Sequence, residues 1–180
     1  MKFIGDKIAI GEIPAADIAA KFGTPTYVYD EQKIRKNYRR AFNAFAKHYP
    51  DFKMFYAVKS CNNPAIVNIL RQEGAGVDAA SVNEILLAKH SEFGVGTGVR
   101  DEFADIALAV TGIDAERKDF RLLEKAAELT AKMFRSKVAE YGLKPPQLKM
   151  EPARYFVGNA GYLIGRVHSI KESYKKIAGL

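Results

Sequence analysis

Residues 54–89 read MFYAVKSCNNPAIVNILRQEGAGVDAASVNEILLAK, and the order of residue types in this stretch decides the fold. Met54 to Val58 is an apolar run of strand length, rich in aromatic and branched side chains. It stops at Lys59, and Ser60 to Pro64 follows as a loop. Asn63 is placed to cap the next helix, and Pro64 fits the first turn, where a missing N–H costs nothing. Ile66, Ile69 and Leu70 give that helix an apolar stripe, with Gly74 and Gly76 punctuating its end. Gly76 to Ala80 is a second short strand carrying Asp78, and Ser81 with Glu84 forms the S-x-x-E capping box of another helix. The pattern is two consecutive βα units.

Composition bounds the rest. A chain of 180 residues, 48% apolar and 11% aromatic, can bury one core. A formal charge of +7 suits nucleic acid or an anionic small molecule, but the basic residues are interleaved with 21 acids and do not choose between them. The single cysteine, Cys61, excludes an internal disulfide and fits a reducing compartment. No apolar run approaches the roughly 20 residues that span a bilayer. The opening MKFIGDKIAIGEI lacks the pattern of a signal peptide. The expectation is a soluble cytoplasmic protein with no membrane partner.

Outward from the central stretch, residues 1–13 alternate loosely between glycines and suit an edge hairpin. Pro14 to Phe22 reads as a short helix burying Ile18, Ala19 and Phe22 and ended by Gly23. Thr26 to Tyr29 is a strand, and Asp30 caps a longer helix with Ile34, Tyr38, Ala41, Phe42 and Phe45 on its apolar side. The other side of that helix, Lys33, Arg35, Lys36, Arg39 and Arg40, reads as a solvated face, with a nucleic-acid surface as the minority reading. His90 to Asp101 is glycine-rich, and its GVGTG reads as a connector more readily than as a phosphate loop. Glu102 to Val110 suggests a helix. Asp114 opens the longest helix, with Leu123, Ala127, Thr130, Phe134, Val138 and Tyr141 in one stripe up to Gly142. Gln147 to Glu151 is a strand stopped by Pro152, and Tyr162 to Ile170 is another, running into a lysine-rich tail.

The chemistry-bearing residues collect at strand ends. A lysine such as Lys59 at the end of a buried strand, if walled by apolar groups, loses the solvation that favours its charged form and becomes a nucleophilic amine. A solvated strand-end lysine is the plainer alternative. Asp78 follows the neighbouring strand and is placed to hydrogen-bond Lys59, or simply to cap a loop. Glu84 is explained adequately by its cap. Glu151 and Arg154 sit three residues apart in Glu151-Pro152-Ala153-Arg154, either serving two ends of a polar cofactor or forming a solvated pair.

Tyr56-Ala57-Val58-Lys59-Ser60, then Gly76-Val77-Asp78-Ala79-Ala80-Ser81-x-x-Glu84, then Glu151-Pro152-Ala153-Arg154-Tyr155 leading to Ala160-Gly161-Tyr162-Leu163, resemble in that order the pyridoxal-phosphate decarboxylases of the alanine-racemase-like barrel fold. Ser91-Glu92-Phe93-Gly94-Val95 is similar to the S-K-F-G-[IV] run of the same enzymes. The nearest members in tone are the diaminopimelate decarboxylases. The resemblance implies an α/β chain folded as a partial (β/α) TIM-type barrel, with four or five strands of the usual eight. It implies an N-terminal edge segment over 1–24, a pyridoxal-phosphate-binding barrel part over 25–172, and from 173 to 180 the start of a linker toward a C-terminal β-domain.

The same resemblance implies that Lys59 holds pyridoxal 5'-phosphate covalently, that Asp78 orients it, and that Glu84 supports the site from behind. Glu151 would face the pyridine nitrogen, and Arg154 the cofactor phosphate or a substrate carboxylate. No metal is implied. The substrate would be a small amino acid, meso-2,6-diaminopimelate converted to L-lysine and CO₂ in lysine biosynthesis, and the complete enzyme a homodimer without nucleic acid. Three departures stand beside the match: Ala153 replaces a glycine, and the family's H-x-G-S segment and G-G-G-F phosphate loop have no counterpart. They keep open a catalytically inactive remnant as the alternative, with a basic nucleic-acid-binding module behind it.

Overall fold

The computed structural model of the chain describes residues 2–91, 120–172 and 174–179. The expectations placed on His90 to Asp101 beyond Ser91, on Glu102 to Val110 and on the opening of the long helix at Asp114 lie outside the described residues. The chain divides into two compact units, one of 1–32 with 160–180 and one of 33–159. The first unit draws on both ends of the chain, because a strand from each end pairs with the other.

In the first unit, strands β1 (Lys2–Ile4), β2 (Lys7–Ile10) and β3 (Ile13–Pro14) form an antiparallel meander, and helix α1 (Ala15–Phe22) packs on β2. Ile18 is buried, but Phe22 is 68% exposed: it occupies the last helical residue, and its ring lies under the Lys21 ammonium. Strand β4 (Thr26–Tyr29) pairs antiparallel with β8 (Gly161–Ile164), Tyr29 opposite Gly161. The single strand expected from Tyr162 to Ile170 is interrupted after Ile164. Its second half becomes β9 (Ser169–Glu172), which forms an antiparallel hairpin with β10 (Lys176–Gly179) in place of a plain lysine-rich tail.

The second unit carries the central stretch. Strand β5 (Phe52–Ala57) lies between β6 (Gly76–Asp78) and β7 (Leu148–Met150), parallel to both. Met54 is level with Met150, and Ala57 with Asp78. Helix α2 (Glu31–Ala46) covers one face of this sheet, with Phe42 and Phe45 against Phe52 at ring separations of 5.7 and 5.5 Å. Its apolar stripe is the one read from the spacing: Ile34, Tyr38, Ala41 and Phe45 are buried. Helices α3 (Pro64–Gln72) and α4 (Val82–His90) follow β5 and β6. Asn63 caps α3, its Oδ1 accepting the Ala65 N–H at 2.9 Å, and Ser81 caps α4, its Oγ accepting the Glu84 N–H at 3.3 Å.

Helix α5 (Phe120–Glu140) buries Leu123, Ala127, Thr130 and Ala131 and stacks Phe134 edge-on against Tyr49. Tyr141, expected to continue the stripe, is 68% exposed, because the helix stops one residue earlier. Gly142 there adopts φ +63°, which its lack of a Cβ permits without strain. The short helix α6 (Ala153–Val157) packs on β5 and on the turn that follows it.

The parallel sheet is the described part of the expected partial barrel, and it holds three strands among the described residues. The alternation of a strand assigns Phe52, Met54 and Tyr56 to the helix-covered face and Lys53, Phe55 and Ala57 to the other. In a closed barrel that second face is packed with apolar layers. Here it bears Lys53 directly level with Lys149, both exposed, an arrangement that like charges on neighbouring strands disfavour unless water or an anion screens them. Phe55 lies over Gly76, where a Cβ would stand 2.5 Å from the ring.

The basic side of α2 is not the plain solvated face expected. Arg35 Nη1 donates to Glu73 Oε1 at 2.8 Å and Nη2 to Gln72 Oε1 at 2.6 Å. Arg39 donates through Nη2 to Glu73 Oε1 at 2.7 Å and through Nε to Oε2. Arg40 Nε donates to the Tyr155 hydroxyl at 2.6 Å, with its guanidinium 5.2 Å from the ring centre. Arg35, Arg39 and Arg40 on that side are therefore engaged within the fold. The spacing showed the basic stripe but not that the end of α3 would present Glu73 to it.

The Glu73 side chain is 5% exposed. The Arg39 hydrogen bond is the chief reason its carboxyl is held below the usual carboxylate range; burial pushes the other way, and Arg35 adds to the lowering. A carboxyl whose folded pKa lies below its unfolded value stabilises the fold above the unfolded value, and that stabilisation is lost as pH falls through the folded one. Glu73→Gln is expected to remove about 1–3 kcal/mol at neutral pH, measured by urea unfolding. The deficit should shrink as pH drops below about 4.3, because the unfolded chain then binds a proton that the folded carboxylate still resists. A deficit unchanged down to pH 3 would contradict the linkage.

Candidate functional site

The described parallel strands end on one side of the sheet, and the residues singled out from the sequence stand at or just beyond those ends. Strand β5 stops at Ala57, and Val58–Ser60 form one 3-10 turn closed by the Cys61 N–H bonding to the Val58 carbonyl at 3.1 Å. Lys59 is the middle residue of that turn. Asp78 is the last residue of β6, level with Ala57. Glu151 follows the last residue of β7, and Arg154 lies in α6, which packs on the Lys59 turn. Parallel pairing is the reason these groups share an end: neighbouring strands run in one direction about 4.8 Å apart, so their carboxyl termini emerge together.

Lys59 is exposed, and among the described residues its ammonium has no hydrogen-bond or ion-pair partner. Among the described residues no apolar walls enclose it, because the turn carries it outward from the sheet while its neighbour Val58 takes the buried position. Asp78 is half-buried, and no hydrogen bond joins it to Lys59; the register sets Asp78 level with Ala57, so Lys59 stands beyond it. Glu84 forms the expected cap and does more. Its Oε2 accepts the Ala80 N–H at 2.7 Å, tying down the loop that begins immediately after Asp78. Glu151 and Arg154 are both exposed, and Arg154 has no polar partner among the described residues.

Sequence reasoning missed the groups that hold this rim. Asn37, 3% exposed in α2, donates through Nδ2 to the Phe156 carbonyl at 3.0 Å and to Asn159 Oδ1 at 2.8 Å, anchoring the C-terminal end of α6. Tyr56 is fully buried, and its hydroxyl donates to the Cys61 carbonyl at 2.8 Å. Phe156, Tyr38 and Tyr56 form one aromatic cluster beneath the turn, Phe156 lying 5.4 Å from Tyr38 and 6.5 Å from Tyr56. Burial pushes the Tyr38 hydroxyl up to about 12, with the nearby Glu73 charge acting in the same direction. Asn37 was detectable as a polar residue inside an apolar helical stripe, which needs partners when buried.

Comparison with known proteins finds similarity to pyridoxal-dependent decarboxylases. Residues 35–97, which include β5, α3, β6 and α4, match the family described as pyridoxal-dependent decarboxylase, pyridoxal binding domain. The diaminopimelate decarboxylase of Methanothermobacter thermautotrophicus is 28% identical over 305 residues, taking in 98% of this chain and 71% of that protein. Since the chain has 180 residues, more than a third of that aligned length has no counterpart in it. The diaminopimelate decarboxylase of Aquifex aeolicus is 36% identical over 89 residues, 49% of this chain and 20% of that protein. The crystal structure of diaminopimelate decarboxylase from Methanocaldococcus jannaschii superposes with TM-score 0.72 at 20% identity, covering 98% of this chain and 72% of that one. No helix among the described residues is long and apolar enough to cross a membrane.

Proposed function

We propose, from its similarity to the pyridoxal-dependent decarboxylases of the alanine-racemase-like fold, that the rim of this chain binds pyridoxal phosphate and serves the decarboxylation of an amino acid. The substrate proposed is meso-2,6-diaminopimelate, with L-lysine and CO₂ as products, as the names of the relatives indicate. The observation that carries the proposal is the gathering of one amine, two carboxylates and one guanidinium at the same end of three adjacent parallel strands.

The residues present fit the cofactor. The Lys59 amine is accessible to an aldehyde and the Arg154 guanidinium to a phosphate, and neither side chain has a polar partner among the described residues. Bound there, pyridoxal phosphate supplies an electron sink for the pair left behind when a carboxylate departs as CO₂. Lys59 would hold the cofactor's aldehyde carbon. Glu151 would keep a proton on the pyridine nitrogen, and Arg154 would bind the phosphate or a substrate carboxylate with its planar fork. Asp78 would orient the Lys59 amine once a ligand draws the two together, and Glu84 would steady Asp78 through its bond to the following loop. A homodimer of the complete fold belongs to the same proposal.

A second reading, a remnant without catalysis, is favoured by the exposure of Lys59 and by the absence of the H-x-G-S and G-G-G-F segments from the sequence. One experiment separates the two. Purified protein is mixed with pyridoxal phosphate, scanned for a protein-dependent absorbance band, and assayed for CO₂ release from meso-diaminopimelate. A band with CO₂ release supports the enzyme, and a band without it supports the remnant. No band at any cofactor concentration up to millimolar defeats the binding proposal itself.

A further inference from the structure

We propose that Tyr56 is a positioning residue whose hydroxyl sets the shape of the turn presenting Lys59; the consequence for cofactor binding rests on the reading above, the structural claim does not. A lone 3-10 turn is marginal by itself, having one poorly aligned bond to offset the ordering of its residues. Lys59 contributes nothing to holding it, since its side chain projects into solvent. Besides the packing of α6, the turn is held by Val58, fully buried at its start, and by the Tyr56 hydroxyl, which spans the turn to the Cys61 carbonyl at 2.8 Å. The Tyr56 ring is itself immobilised, fully buried beside Phe156. Phenylalanine would fill the same volume, so packing gives no reason for an oxygen at this position. The oxygen bonds to the backbone two residues past the amine.

The test is Tyr56→Phe, with Tyr49→Phe as a matched control, because the Tyr49 hydroxyl bonds to the Pro146 carbonyl at 2.7 Å near the opposite end of β5. Amide hydrogen exchange is read at Cys61, whose N–H closes the turn, and at Val67 and Leu70 in the buried part of α3. Loss of one hydrogen bond should raise Cys61 exchange about fivefold in Tyr56→Phe, with α3 changed less than twofold, and leave it unchanged in Tyr49→Phe. Equal rises at Cys61 and in α3 would mean that the hydroxyl adds only to global stability, and no rise at all would mean that it does not hold the turn; either overturns the proposal. In the same samples the cofactor concentration giving half the absorbance band should rise about fivefold in Tyr56→Phe alone. If the wild type forms no band, the functional reading fails, and the exchange data still decide the role of Tyr56.

Discussion

Lys59→Ala is expected to abolish the absorbance band formed with pyridoxal phosphate and to lower any CO₂ release from meso-diaminopimelate by at least about a thousandfold, in keeping with loss of a covalent catalyst. The substitution removes an exposed side chain with no polar partner among the described residues. Stability should therefore move by no more than about 0.5 kcal/mol, and the loss of signal is readable against an intact fold. Lys59→Arg makes a useful companion, since a guanidinium keeps the positive charge and stays protonated near neutral pH, so it offers no free amine to act as a nucleophile. It should be as silent as Lys59→Ala. A band that persists in both variants, at the wild-type wavelength and amplitude, would show that another amine holds the cofactor and would remove Lys59 from the site.

Phe156→Ala carries the largest expected effect on stability, about 3–5 kcal/mol. The side chain is fully buried, and its ring is shared by Tyr38, Tyr56 and Tyr155 at centroid separations of 5.4, 6.5 and 6.3 Å. Its neighbours are large rings held by their own hydrogen bonds, Tyr56 to Cys61 and Tyr155 with Arg40. They are poorly placed to collapse into the space, which sets the cost toward the upper end. Since domains of this size have only about 5–15 kcal/mol in hand, the variant should unfold at much lower urea or fail to accumulate. Phe156→Leu, which keeps most of the volume, is the measurable form and should cost about 1–1.5 kcal/mol. A cost below 0.5 kcal/mol for Phe156→Ala would mean that the cluster beneath the rim is not packed as described.

The αβ rhythm of the central stretch was legible because it depends on neighbours in sequence. Asn63 and Ser81 cap the helices that follow them through bonds two and three residues long, and Ile34, Tyr38, Ala41 and Phe45 repeat at the helical period whatever lies opposite. The candidate residues Lys59, Asp78, Glu151 and Arg154 were identifiable for the same reason, each marked by its place at or just past the end of an expected strand. Periodicity had less to say about burial at element ends, where Phe22 and Tyr141 keep the phase of their helices but project past the packed region.

What sequence alone determined about this protein is the order of its elements, their caps and the identity of the polar groups at the strand ends. What only the tertiary structure decided is which distant residues answer them. Glu73 meets Arg35 and Arg39 across more than thirty residues of chain, Asn37 meets the end of α6 across more than a hundred, and Lys53 comes level with Lys149. The physical reason is that a local rule acts through a few consecutive dihedral angles, whereas these partnerships depend on strand register and helix packing. Those are set by the whole core at once, and no window of neighbouring residues contains them.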